Sequence, residues 1–308
     1  MNHAIILTYL EYCKTHKRLS PHTIRAYKND LTQFYNSNLD DVELYIEYLT
    51  KSNLKTSTLR RKIASLKVFY HYLKVQNLIE NNPFHQVRFQ FRTEKTLTKT
   101  ISQKTLKHIY FYLEQKMTNA KTDYQKQKSL RNLLIISLLL STGIRISELC
   151  HIRLNDISLS NHSLHIIGKG KKERIIYLGD YTTLLLLKKY ISTYCNPSNT
   201  YLFLGKSSNN PLSEQSIRLV LKKIQKQIHL TISITPHMFR HSFATMLLDS
   251  DVDIRYIQQI LGHSSISVTQ IYTHVSQSKQ KEILSLSNPI TSIISQQSKH
   301  KIKGLPIR

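Results

Sequence analysis

Residues 164–178 read Leu-His-Ile-Ile-Gly-Lys-Gly-Lys-Lys-Glu-Arg-Ile-Ile-Tyr-Leu, and this stretch decides the class of the fold. Two runs rich in isoleucine, at 164–167 and 174–178, flank a turn that contains Gly168 and Gly170. Runs of β-branched residues on either side of a glycine turn predict a β-hairpin. Because the rest of the chain carries helical patterns, the sequence predicts a mostly helical α+β protein with a small antiparallel sheet.

Helical patterns surround the hairpin on both sides. Upstream of it, helices are predicted at 102–117 and 127–142. The apolar run within the second of these contains Ser137 and is too short to span a bilayer, so we expect a buried helix and no membrane association. Downstream, apolar periodicity predicts four more helices, at 181–194, 213–228, 236–249 and 252–261.

The N-terminal part of the chain differs in composition from the rest. Its first 90 residues contain no glycine, whereas all seven glycines follow residue 142. Ser20 and Pro21 form a helix start, with a capping hydroxyl and a proline in the first turn. A second helix opens near Thr56 and carries apolar residues at three- and four-residue spacing. The N-terminal part is therefore expected to be all helix.

Charge and cysteine content limit the partners and the compartment. The net charge of +25 is spread along the whole length, which favours nucleic acid over a membrane surface as the polyanionic partner. The three cysteines are far apart and form neither a CxxC pair nor a disulfide framework, as expected in a reducing cytoplasm. The N-terminus has no signal-peptide pattern.

Several basic residues are candidates for contact with DNA phosphates. Arg60, Arg61 and Lys62 stand opposite the apolar stripe of the helix that opens near Thr56, a pattern that also fits a solvated surface. The segment 85–100 has little periodicity and is interpreted as a linker that crosses the DNA backbone. The remaining candidates lie in this linker and in the hairpin turn: Arg88, Arg92, Lys171 and Lys172.

Four short islands carry side chains suited to phosphodiester chemistry. They contain Arg145, then His237 and Arg240, then His263, and nine residues later Tyr272. Arginine binds phosphate oxygens with a planar fork, histidine transfers protons, and tyrosine can attack phosphorus. This combination predicts DNA strand cleavage without a metal ion or another cofactor.

One of these islands has the histidine spacing of a metal site. His237 and His241 stand four residues apart and could share one face of a helix as ligands. No HExxH pattern and no cysteine or carboxylate completes a ligand set, so a capping or core role is favoured for His241. Arg145 has an alternative role as well, as a buried partner of Glu148.

Five segments, in order along the chain, resemble the motifs of tyrosine recombinases of the integrase family, most of all the Xer-type site-specific recombinases. They are Thr142–Leu149, Gly168–Arg174, Pro236–Thr245, Leu261–His263 and Tyr272–Val275. The N-terminal part resembles the same family, with matches around residues 20–34, at 69–73 and at Asn82-Pro83-Phe84. The similarity extends over residues 5 to 290.

The resemblance implies six catalytic residues: Arg145, Lys169, His237, Arg240, His263 and Tyr272. In the family the two arginines bind the scissile phosphate, and the lysine is the general acid for the 5′-hydroxyl. The first histidine assists proton transfer around the nucleophile, and the second donates a hydrogen bond to the phosphate. The tyrosine forms a 3′-phosphotyrosyl intermediate.

The resemblance also implies domains and partners. It predicts an all-α, SAM-like core-binding domain at 1–88, a linker at 89–101, a mixed catalytic domain at 102–290 and a basic tail at 291–308. The expected partner is a double-stranded DNA recombination site. Four protomers, identical or paired with a second recombinase, would act on two sites through a Holliday junction. The expected location is the cytoplasm, at the nucleoid.

Two other functions share many of these features. A non-catalytic DNA-binding or excision accessory protein on the same scaffold would bind DNA without forming adducts. A type IB-like topoisomerase would relax supercoils without exchanging strands between two sites. Dimer resolution and movement of a mobile element use the same residues, so both remain open as biological purposes.

Overall fold

The computed structural model describes residues 3–39, 41–85, 99–168, 173–205, 209–262 and 283–293. The chain divides into two compact units, Met1–Thr96 and Leu97–Arg308. In the described residues of the first unit, all regular structure is helical. Its helices are α1 His3–Thr15, α2 Pro21–Asn36, α3 Val42–Lys51 and α4 Thr56–Val75, followed by a 3₁₀ turn, Pro83–His85.

The start of α2 follows the capping rule read from the sequence. The Ser20 hydroxyl accepts a hydrogen bond from the backbone N–H of Thr23 at 3.2 Å, and Pro21 occupies the first turn. The helices of this unit bury an aromatic core, in which Tyr9, Tyr45 and Phe69 are fully enclosed. The rings of Tyr9 and Phe69 meet edge to face with centroids 5.0 Å apart.

Lys62 does not lie on the exposed basic face of α4. The side chain is buried, and its ammonium donates to the carboxylate of Asp30 at 3.2 Å and to Gln33. Asp30, in α2, is 1% exposed and also accepts from Arg61 and from Ser65. Lys62 is three residues after Leu59 and four before Leu66, so helical spacing places it in the buried stripe. The expectation that Lys62 faces solvent is therefore wrong.

The second unit contains six longer helices, the short helix α7 and a sheet in its described residues. The helices are α5 Gln103–Thr118, α6 Asp123–Thr142, α7 Ile146–Cys150, α8 Tyr181–Tyr194, α9 Glu214–Gln227, α10 Pro236–Leu248 and α11 Ile254–Leu261. A 3₁₀ turn, Leu154–Asp156, precedes the sheet, and a last short helix spans Pro289–Ile293. All six helices predicted from periodicity in this part of the chain are present.

The predicted hairpin forms two of the three strands of the sheet. Strands β1 Ile157–Ser158, β2 Ser163–Ile167 and β3 Glu173–Tyr177 are antiparallel and lie in that order. In β2 and β3, Ser163 pairs with Tyr177, and Ile166 pairs with Arg174. The fold class expected from the sequence, mostly helical with a small antiparallel sheet, is confirmed.

Helix α6 forms the centre of the core. It packs against α5, α8 and α10, and every residue from Leu133 to Thr142 is buried. A helix that is enclosed on all sides has an apolar run rather than a stripe. No helix in the described part of the chain is long and apolar enough to cross a membrane.

Gly143 ends α6 and directs the chain toward α7. Its φ of +61° lies in the left-handed region, and its N–H bonds to the carbonyl of Leu139 at 3.2 Å. A Cβ at this position would stand 2.4 Å from the ring of Phe243 and 2.8 Å from Leu261. Glycine is therefore required both by the backbone conformation and by the close approach of α10 and α11.

Candidate active site

Arg145 lies in the short connection between α6 and α7, where it caps the N-terminus of α7. Its backbone N–H donates to Glu148 Oε2 at 2.8 Å, and its Nη1 donates to Glu148 Oε1 at 2.9 Å. Its Nη2 makes a longer bond, 3.4 Å, to the carbonyl of Gly262. The side chain remains 34% exposed. Arg145 therefore pairs with Glu148, as its alternative role predicts, and the pairing leaves donors of the guanidinium accessible.

Glu148 is a buried carboxylate held by two arginines. Besides the bonds from Arg145, it accepts from Arg174 Nη1 at 3.0 Å and from Arg174 Nη2 at 2.8 Å. Burial raises the pKa of Glu148, but the hydrogen bonds from Arg174 and Arg145, with their charges, more than offset it and leave the pKa lowered. Glu148 is therefore ionised at neutral pH.

Arg174 is a member of this site that was not predicted from the sequence. It stands in β3, two residues before the buried Ile176, so the strand period places both side chains on the inner face. Gly262 gives it room, because a Cβ there would lie 3.0 Å from Arg174 Cδ. The alternation of side chains along β3 could have predicted this, because it places Arg174 on the same face as the buried Ile176.

Arg240 lies in α10 and is 6% exposed. Its Nη1 donates to the carbonyl of Gly143 and its Nη2 to the carbonyl of Leu261, both at 2.8 Å. These carbonyls lie at the C-terminal ends of α6 and α11, where helix carbonyls lack intrahelical partners and the dipole is negative. Burial and the charges of Arg145 and Arg174 lower the pKa of Arg240 to about 10, although Glu148 opposes this. The guanidinium is thus still charged at neutral pH.

His237 stands one turn before Arg240, in the first turn of α10, and is exposed. Thr235 caps this helix, its hydroxyl accepting from the N–H of Met238 at 3.4 Å. His241 is half-buried, and burial together with the charges of His237 and Arg240 lowers its pKa. Within the described ranges, no group of three or more His, Cys, Asp and Glu side chains could hold a metal ion.

The described part of the site is a cluster of cations around one anion. Arg145 and Arg240 bind the consecutive carbonyls of Gly262 and Leu261, and Arg145 shares Glu148 with Arg174. Three guanidinium groups and one carboxylate leave a net charge of +2. Such an arrangement binds an oxyanion through planar, charged donors.

Seven predicted site residues lie outside the described residues: Arg88, Arg92, Lys169, Lys171, Lys172, His263 and Tyr272. Their roles remain predictions. Of the predicted contacts in α4, Arg60 is partly buried, and Arg61 is 45% exposed while paired with Asp30. Their contact with DNA phosphates stays a prediction.

Family models match both parts of the chain. The model of the phage integrase family matches residues 99–279, and that of the phage integrase N-terminal SAM-like domain matches residues 6–77. A tyrosine recombinase of Agathobacter rectalis is 47% identical over 294 residues, which cover 92% of this chain and 96% of that protein. The tyrosine recombinase XerC of Staphylococcus saprophyticus is 32% identical over 295 residues, 91% of this chain and 96% of that protein.

Solved structures agree with these sequence matches. The XerH site-specific recombinase bound to its difH substrate is similar with a TM-score of 0.63 and 25% identity, over 90% of this chain and 83% of that one. A lambda integrase dimer bound to a core site gives a TM-score of 0.64 over 89% of this chain and 99% of that one. At 15% identity the second likeness concerns the fold alone.

Proposed function

Because this chain belongs to the phage integrase family of tyrosine recombinases, we propose that Tyr272 is its nucleophile and that Arg145 and Arg240 hold the scissile phosphate. The chain is an enzyme that cleaves and rejoins DNA in site-specific recombination. The observation that carries the residue assignment is the pair of guanidinium groups fixed on the consecutive carbonyls of Leu261 and Gly262. His263 follows directly, and Tyr272 is nine residues further on.

The proposed reaction exchanges one phosphate ester for another. The phenolate oxygen of Tyr272 bonds to phosphorus while the bond to the 5′-oxygen breaks, and the product is a 3′-phosphotyrosyl ester. Lys169 gives its proton to the departing 5′-oxygen, and His237 assists removal of the phenol proton. A free 5′-hydroxyl then attacks the same phosphorus and releases the tyrosine. The ester conserves the bond energy, so neither ATP nor a metal ion is needed.

The fixed arginines contribute before and during this step. Each guanidinium has five N–H donors, and the internal bonds of Arg145 occupy only part of them. The free donors can follow the nonbridging oxygens as their negative charge grows. Donors already held in place contribute most, because no reorganisation is needed as charge develops. His263 is proposed to add a hydrogen bond to the same oxygens.

Contacts with the rest of the DNA are proposed for the basic residues of both units. Arg60, Arg61, Arg88 and Arg92 would contact phosphates from the N-terminal unit, and Lys171 and Lys172 from the hairpin turn. Lys62 is omitted, because its ammonium is buried against Asp30. With a net charge of +25, affinity should fall steeply as salt rises.

The proposed assembly is a tetramer of this chain on two DNA sites, acting in the bacterial cytoplasm. Strands would be exchanged in pairs through a Holliday junction. The XerH and lambda integrase structures contain recombinases bound to DNA sites, and the second is a dimer on a core site. A heterotetramer with a second recombinase predicts that this chain alone exchanges no strands between two sites.

Covalent trapping tests the nucleophile. Protein is incubated with fragmented genomic DNA, the DNA that stays attached after denaturation is sequenced, and the recovered site is rebuilt as a nicked suicide duplex. The wild type should form an adduct on a denaturing gel, and Tyr272→Phe should form none. Tyr181→Phe, which removes the hydroxyl of an exposed tyrosine in α8, is the matched control and should behave as the wild type.

Each alternative function predicts a different result. An accessory protein binds the site and gives no adduct with any variant. A topoisomerase relaxes supercoiled DNA but yields no product joined between two sites. An adduct that persists in Tyr272→Phe contradicts the assignment of the nucleophile.

A further inference from the structure

Glu148 is shared unequally between two arginines. Arg174 binds both carboxylate oxygens, with Nη1 at 3.0 Å from Oε1 and Nη2 at 2.8 Å from Oε2. Arg145 binds the carboxylate through one side-chain nitrogen only, Nη1, at 2.9 Å. The Arg174 side chain is 15% exposed, and that of Arg145 is 34% exposed. The buried arginine therefore has the bidentate pairing, and the accessible one is left partly free.

This division matters because a carboxylate and a phosphate compete for the same guanidinium. Both anions accept two parallel hydrogen bonds from an arginine fork. If Glu148 had no other partner, Arg145 could turn its second nitrogen onto the carboxylate and lose the orientation that phosphate binding needs. With Arg174 on both oxygens, Glu148 is already neutralised and holds Arg145 by a single side-chain bond.

Arg174 is fixed by elements other than the one that carries Arg145. It lies in β3 opposite Ile166 and rests against Gly262, at the end of α11. Glu148 and Arg145 belong to α7 and its cap. The Arg174–Glu148 pair thus ties the sheet to α7 beside the backbone on which Arg240 is held.

We propose that Arg174 is a positioning residue, which neutralises Glu148 and so keeps the guanidinium of Arg145 directed at the scissile phosphate. The inference rests on the proposed role of Arg145. Arg174 itself does not touch the reacting atoms. Its effect on the reaction passes through Glu148, and removing the charge of Glu148 makes Arg174 less necessary.

The test is a double-mutant cycle in single-turnover cleavage of the nicked suicide duplex. Arg174→Gln leaves Glu148 with Arg145 alone, and cleavage should slow about 100-fold, the size expected when a reacting contact moves by about 1 Å. Adding Glu148→Gln removes the competing charge, and Gln at this position still suits the cap of α7. The double variant should cleave at least about tenfold faster than Arg174→Gln. DNA affinity should change only a few-fold, because many phosphate contacts remain.

Arg218→Gln is the matched control, since Arg218 also pairs with a glutamate, Glu214, at the surface of α9. It should cleave at the wild-type rate. Circular dichroism and thermal melting report the fold of each variant. If Arg174→Gln does not fold, Arg174→Met, with and without Glu148→Gln, gives the same comparison, because methionine also removes the charge and its flexible side chain fills the vacated space.

The outcomes separate this inference from the proposed function. If the wild type forms no adduct, the proposed function fails and the inference fails with it. If the wild type forms the adduct and Arg174→Gln cleaves equally fast, only the inference fails. If Glu148→Gln restores thermal stability to Arg174→Gln but not its cleavage rate, Arg174 is a structural residue or contacts the phosphate directly, and the inference is overturned.

Discussion

Replacing Arg240 with methionine separates the contribution of this buried arginine to the fold from its contribution to the reaction. Methionine has a similar length, no charge and a flexible side chain that fills the vacated space. In the wild type, Arg240 donates to the carbonyls of Gly143 and Leu261 at 2.8 Å. A hydrogen bond from a charged group contributes about 1.5–3 kcal/mol, so losing both costs about 3–6 kcal/mol.

Much of this loss is offset, because Arg240→Met also removes the cost of burying a charged group. Burial and the charges of Arg145 and Arg174 lower its pKa to about 10. At about 1.4 kcal/mol for each pKa unit, the charged form is disfavoured in the fold by roughly 3 kcal/mol. The Arg240→Met variant does not have this cost, because methionine is uncharged. The free energy of unfolding of Arg240→Met should therefore fall by only about 0–3 kcal/mol, as measured by urea denaturation.

Cleavage should respond much more strongly than stability. Removal of one fixed donor to a developing oxyanion slows a reaction about 100- to 1000-fold, and Arg240→Met removes a whole guanidinium. The suicide duplex should therefore give at least about 1000-fold slower adduct formation. Arg218→Met, at the surface of α9, should change neither property.

Cleavage by Arg240→Met within about tenfold of the wild-type rate would show that Arg240 does not stabilise the developing charge. A loss of more than about 5 kcal/mol in stability would show that Arg240 serves mainly to hold α6 and α11.

Three further predictions concern stability. Because the pKa of Glu148 is lowered in the fold, ionised Glu148 stabilises the folded protein at a pH above its unfolded pKa, near 4.5. This stabilisation is lost as the pH falls through the lower folded pKa. Glu148→Gln should therefore reduce the loss of melting temperature in acid. Gly143→Ala should cost at least about 2 kcal/mol in urea denaturation, since it combines a left-handed φ with a clash on Phe243, and wild-type stability would contradict this. Asp30→Asn should cost about 3–5 kcal/mol in the N-terminal unit by leaving Lys62 buried without its counter-ion, and adding Lys62→Met should recover part of the loss.

Features that depend on local patterns were predicted from the sequence. The hairpin, the helix start at Ser20 and the longer helices all follow from spacing within a few residues. The position of Lys62 could have been found in the same way, because helical spacing puts it in line with Leu59 and Leu66. Its charge suggested an exposed site, and the buried Asp30 that pairs with it lies 32 residues away.

Contacts between distant residues could not be predicted in this way. Arg174 meets Glu148 across 26 residues, and Arg240 reaches a carbonyl 97 residues earlier in the chain. Every residue has a backbone carbonyl, so the residue types do not predict which carbonyls accept hydrogen bonds from Arg240. The sequence identified Arg145 and Arg240 as candidates, and the structure shows the groups that hold them.

The way each arginine is fixed bears on how the site distinguishes the transition state from bound DNA. Arg240 is held by carbonyls, which orient the guanidinium without cancelling its charge. Arg145 and Arg174 share one carboxylate, so the cluster with Arg240 retains a net charge of +2. A phosphodiester carries one negative charge, and attack by a phenolate raises this to about two in the transition state. In the proposed reaction, the cluster would therefore match the charge of the transition state better than that of the substrate, and stronger binding of the transition state is what accelerates a reaction.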